Sequence, residues 1–133
     1  MLQNEIKSSF VELGNFLRQF SFAKNTKDTS VLQNAIFYDD FVALIELSQS
    51  HNGWFTQEQV YFSLQSWAAA LTETNLNLWL SKYNFSKTTP KKVGLILAGN
   101  IPLVGFHDFL SVLISGHYAV IKTATNDQHL LKF

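Results

Sequence analysis

The chain has 133 residues, 47% apolar and 14% aromatic, which suits one globular domain and excludes a disordered chain. Ten basic and ten acidic residues cancel, leaving no electrostatic footprint for nucleic acid or an anionic membrane surface. There is no cysteine, so disulfides and thiolate metal sites are excluded within these residues.

The opening Met1–Lys7 is polar and shows no secretory signal. Asn100, Pro102 and Asp108 interrupt the most apolar stretch, so no membrane span is expected and a cytoplasmic location is the default. From Gln3 to Phe20, the side chains Ile6, Phe10, Leu13, Leu17 and Phe20 form one apolar stripe at helical spacing. Gly14 inside it lowers helix propensity and fits a close approach to a neighbour. Ala23–Asn34 is a polar connection. A second helix is expected over Phe37–His51, with Phe37, Phe41, Leu44, Ile45 and Ser48 on one side and a left-handed stop at Asn52-Gly53. Thr56 and Gln59 have the spacing of a capping box for a third helix carrying Val60, Leu64, Trp67 and Leu71. Thr72 starts a fourth, with Leu76, Trp79, Leu80 and Tyr83 on its buried side, and Ser86–Pro90 is a linker.

The remaining stretch is different in kind. Between Val93 and Ile121 the only formal charge is Asp108. Val93–Ala98 is a short run rich in branched residues, suited to a strand buried on both faces. Gly99-Asn100-Ile101-Pro102 then turns the chain, with Pro102 placed in the first turn of a helix. Leu103, Phe106, Leu110, Leu113 and Ile114 follow at helical spacing, Gly116 stops the helix, and Tyr118–Thr123 is a second strand. Strand, helix and strand make a βαβ unit. The predicted fold class is α/β: a helical region over residues 1–89, then, over residues 90–133, the first unit of a parallel Rossmann-like sheet. Two strands are too few to stay dry, so the chain reads as the N-terminal part of a longer protein or as one member of an assembly.

In open α/β sheets, ligands sit at the carboxyl ends of the strands. Those ends are Gly99-Asn100 and Lys122-Thr123, where a helix N-terminus and the Lys122 ammonium favour a phosphate. Lys122 reads equally as a strand-end lysine in water. Asn100 caps the following helix or, alternatively, points its amide into the crevice to stabilise an oxyanion. The familiar phosphate loops are absent, since Gly99 and Gly105 have the wrong spacing and Phe106-His107 stands where a Walker loop has Lys-Ser/Thr. His107-Asp108 lies in the first turns of the helix, where a packing or solvent role is favoured over a functional pair, and no histidine spacing suits a metal.

Ala98-Gly99-Asn100-Ile101-Pro102-Leu103, then a helix, Gly116 and Ala119-Val120-Ile121-Lys122, resembles the aldehyde dehydrogenase superfamily. With the upstream His51–Thr56 and Ser66–Thr72, the chain is most similar to the acyl-CoA reductase branch, related to the fatty-acid reductase of bacterial bioluminescence. The match runs from about Leu44 to Leu130, and the first forty or so residues match weakly. The resemblance implies reduction of an acyl-CoA to an aldehyde through a cysteine thioester, within fatty-acid metabolism. It makes Asn100 the oxyanion amide, has Lys122 hold the adenosine ribose or its phosphate, and has Ile101 and Pro102 line the dinucleotide path. Two departures stand out: Thr123 replaces the family's proline, and Thr125 replaces its ribose-binding glutamate. Loss of that carboxylate suits NADPH, with NADH still open. The nucleophilic cysteine is not among these residues, so the piece alone is not expected to be active. Acyl-CoA is the implied substrate, and a homo-oligomer is left open. The competing expectation is a non-catalytic helical module whose aromatic surface binds a partner.

Overall fold

The computed structural model describes residues 2–86 and 88–133; Met1, and Lys87 of the expected linker, lie outside the described residues. The elements are α1 (Leu2–Leu17), α2 (Asn34–His51), α3 (Gln57–Ala70), α4 (Glu73–Leu80), β1 (Lys92–Ile96), α5 (Phe106–Ile114) and β2 (Tyr118–Lys122). The architecture is mixed α/β, mostly helical, with a two-stranded parallel sheet.

Local chemistry places most of the boundaries. The Thr56 and Thr72 hydroxyls accept from the backbone N–H groups of Gln59 and Asn75, each at 3.2 Å, and so start α3 and α4. Gly116 follows α5 at φ 85°, a left-handed conformation that glycine adopts without penalty. The stop after α2 is different from the expected one. Asn52 is extended (φ −145°, ψ 110°), and its N–H bonds to the Ser48 carbonyl.

An aromatic cluster joins the helical layer to the βαβ unit. Phe20 packs on Tyr38 and Phe41, with ring centroids 5.1 and 4.9 Å away. Phe106 of α5 meets Phe10 of α1 at 6.1 Å and Trp67 of α3 at 4.6 Å, both edge-on. The buried stripe of α2 runs Asn34, Tyr38, Phe41, Ile45 and Ser48, so Phe37 lies beside the stripe rather than in it. Tyr83 is exposed, beyond the end of α4. The polar connection before α2 is fixed by a buried amide pair. Gln19 Nε2 donates to Asn34 Oδ1 at 2.8 Å, and Asn34 Nδ2 donates to Gln19 Oε1 at 2.6 Å.

The strands pair in register, Lys92 with Tyr118 through Ile96 with Lys122. Their alternation departs from the expectation of burial on both faces. Val93 and Leu95 are half-buried on the α5 side, whereas Ile96 is 86% exposed and Val120 56% exposed. Among the described residues no element covers that second face, which is why an apolar strand comes out alternating.

Gly14 sets α1 close against the C-cap of α3: a Cβ there would lie 2.8 Å from the Leu71 Cβ and still nearer the Leu71 carbonyl. Helix propensity alone makes Gly14→Ala stabilising by about 1 kcal/mol. The clash reverses the sign, and the substitution is expected to cost about 1–3 kcal/mol, read as a lower urea midpoint with unchanged slope. A raised midpoint would show that the α1–α3 contact is not tight.

Candidate functional site

The carboxyl ends of β1 and β2 lie side by side. The ladder runs one bond past the paired residues, with Leu97 N–H donating to the Lys122 carbonyl at 3.0 Å. Ile96 is opposite Lys122, so the turn beginning at Gly99 and the Lys122 ammonium belong to one end of the sheet. The parallel crossover brings the N-terminus of α5 to the same end.

Gly99 is the fixed point of this end. Asn52 Nδ2 donates to its carbonyl at 2.9 Å, while Asn52 Oδ1 accepts from Trp54 N–H at 3.0 Å. A Cβ on Gly99 would stand 2.7 Å from the Ala124 Cβ and 3.0 Å from the Asp127 Cβ, so no other residue fits without movement. The turn is thereby clamped between the end of α2 and the segment after β2.

The sequence-predicted site residues fall on both sides of this clamp. Asn100 is exposed and has no side-chain hydrogen-bond partner among the described residues. Its capping role is not realised, because α5 begins only at Phe106, with Gly105 as N-cap and no side-chain cap. Pro102 is accordingly not in the first turn of a helix; it is buried in the turn that precedes α5. The delay has a visible cause. Leu103 takes φ 59°, which interrupts any helix starting at Pro102 and costs a leucine about 1–3 kcal/mol. Ile101 is half-exposed, and Lys122 and Thr125 are exposed at the sheet end. Asn100, Lys122, Thr125 and the α5 N-terminus are thus brought to one end of the sheet, while Pro102 turns inward. His107 Nδ1 and Asp108 Oδ1 are 3.9 Å apart and both exposed, a surface contact of little energy. Among the described residues no three histidine, aspartate or glutamate side chains are grouped to hold a metal, and no helix is long and apolar enough to cross a membrane.

Residues that sequence reasoning passed over complete the site. Asp127 is only 5% exposed, and its Oδ1 has no hydrogen-bond partner among the described residues. Burial raises its carboxyl above the ordinary value of 3.8, partly opposed by His129. The His51 and His129 rings stack at 3.8 Å and 22°, joining the end of α2 to the segment after Asp127. A single polar residue in a polar stretch gives no signal in sequence. Only the fold puts Asn52 and Asp127 against Gly99.

In the folded chain Asp127 holds its proton more tightly than in the unfolded chain, so its own contribution to stability is full below 3.8 and is lost as pH rises through the raised value. Asp127→Asn keeps the shape and removes the titration. Melts of the two proteins are expected to diverge with rising pH, with the asparagine form the more stable at neutrality. Parallel curves would show that Asp127 is solvated. No protein-family model, no curated protein and no solved structure matches the chain, so the functional reading rests on this geometry and on the sequence resemblance.

Proposed function

We propose that the chain is the N-terminal part of an NAD(P)H-dependent acyl-CoA reductase, with residues 90–133 opening a Rossmann-like cofactor sheet and residues 1–89 forming a helical region. The observation that carries this reading is the parallel pairing of Ile96 with Lys122, which sets the Asn100 turn, the Lys122 ammonium and the α5 N-terminus at one sheet end. That is where nucleotides bind in parallel α/β sheets. The residues fit the phosphate end of a dinucleotide: an exposed cation, a helix N-terminus capped by no side chain, and a turn held rigid at Gly99.

In this reading a cysteine outside these residues attacks the acyl-CoA carbonyl, the CoA thiolate leaves, and the enzyme-bound thioester is reduced to the aldehyde. The bound NAD(P)H supplies the hydride. Asn100 donates its side-chain N–H to the carbonyl oxygen as charge gathers there, a task that suits an exposed amide with no partner among the described residues. Lys122 holds the adenosine ribose or its phosphate. Thr125 leaves room for a 2′-phosphate, which makes NADPH the preferred cofactor. Ile101 and Pro102 shape the path of the dinucleotide through their backbone.

In the enzyme that contains the cysteine, Asn100→Ala is expected to lower kcat about 10²–10³-fold with KM little changed. Lys122→Ala is expected to weaken NADPH more than NADH. An unchanged kcat would remove Asn100 from the mechanism, and equal losses for the two cofactors would remove the phosphate contact.

A second reading, a helical module that binds a partner protein, is favoured by Trp54 and Phe62, which are 74% and 73% exposed. Hydrogen exchange in the isolated chain separates the two. Fast exchange across Val93–Ala98 supports the incomplete sheet of the reductase reading, and strong protection supports the module.

A further inference from the structure

The sheet face that α5 leaves open has an apolar centre between two cations. Side chains alternate along a strand, so Lys92, Gly94 and Ile96 of β1 share this face with Tyr118, Val120 and Lys122 of β2. Ile96, Val120 and Tyr118 are each more than half exposed, and a Cβ on Gly94 would meet nothing within 4 Å. Lys92 and Lys122 stand at diagonal corners, four residues along and one strand across, about 14 Å apart. The face carries no acid, and among the described residues neither lysine is in an ion pair.

The outer side of α2 has the complementary pattern. Ile36, Asp40, Ala43 and Leu47 are all exposed and recur at helical spacing. Ile36 and Leu47 are more than half exposed, and among the described residues no other helix shows two large apolar side chains to that extent. Glu46 is exposed beside Leu47, and neither it nor Asp40 is in an ion pair among the described residues.

We propose that α2 of a second copy of this chain lies on the open sheet face. Ile36 and Leu47 then meet Ile96, Val120 and Tyr118, and Asp40 and Glu46 come near Lys92 and Lys122. Three observations select this occupant. A parallel sheet is covered by helices, so the missing layer is a helix. The stripe from Ile36 to Leu47 is about 16 Å long, which matches the diagonal of the face. The charges are opposite in sign on the two patches, and on each they stand unpaired beside apolar side chains. The reductase reading asks only that helices cover this face; the proposal goes beyond it by naming the helix. The contact joins two different patches, so the assembly either closes into a ring or grows with concentration. A face of two strands is small, and the association is accordingly weak.

Sedimentation velocity of the full chain over a wide concentration range tests it. The sedimentation coefficient is expected to rise with loading. Lys92→Glu with Lys122→Glu, and separately Asp40→Lys with Glu46→Lys, are each expected to weaken association about tenfold. An equal mixture of the two proteins is expected to regain it, because each then meets a patch of opposite sign; that recovery also shows that both variants fold. Ile36→Ser with Leu47→Ser, at exposed helical positions, is expected to weaken association about tenfold through lost apolar contact. A monomer at the highest concentration reached overturns the proposal and leaves a helix of another protein as the occupant. Association indifferent to either charge reversal or to the two serines, or a mixture that stays monomeric, overturns it too. Lys122 also serves the cofactor phosphate in the reductase reading, so NADPH is expected to compete with the second copy. Self-association in a protein indifferent to NADPH leaves the docking standing without the cofactor site, and a monomer that binds NADPH does the reverse.

Discussion

The Asn52 amide and the Gly99 carbonyl hold the candidate site in place. The bond is 2.9 Å long, spans 47 residues of sequence, and ties the end of α2 to the carboxyl end of the sheet. Gly99 is closed in on its other side by Ala124, Asn126 and Asp127. A turn gripped from both sides cannot drift, so Asn100, which makes no side-chain bond of its own among the described residues, is still presented at a defined place. A buried carbonyl left without its donor costs about 1–3 kcal/mol. The Asn52 contact therefore weighs more in placing the turn than its count of one hydrogen bond suggests.

Hydrophobic packing carries the second half of the same task. A two-stranded parallel sheet has little stability by itself. Here β1 and β2 are covered on one face by α5, and α5 is anchored through Phe106 to Phe10 and Trp67. The helical layer is thus the platform on which the βαβ unit rests. The opposite face shows Ile96 and Val120 to solvent, a pattern that parallel sheets rarely tolerate. In the reductase reading further helices of the enzyme cover it.

Helices and strands were largely legible because each is encoded by a period that few residues blur. Stripes such as Val60, Leu64 and Leu71, and Leu110 and Ile114, are buried as their spacing requires. The expected stripe of α2 began at Phe37 because Asn34 and Tyr38 look polar. Asn34 is nonetheless buried, since Gln19 satisfies its amide, a pairing across 15 residues that no local pattern announces. The start of α5 was hidden for a related reason. Pro102 suits a first helical turn, but the left-handed Leu103 postpones the helix to Phe106. Asn52 and Asp127 were invisible in sequence because their significance lies wholly in what they touch.

That postponed helix start has a structural use. Had Pro102 lain in the first turn of α5, the chain would have entered the helix at Ile101, with Asn100 as its cap. Instead six residues, 100–105, separate the clamp at Gly99 from Phe106. Within them Leu103 is buried and Asn100 stays exposed. A leucine held at φ 59° stores strain that its burial in the same apolar cluster as Phe106 must offset.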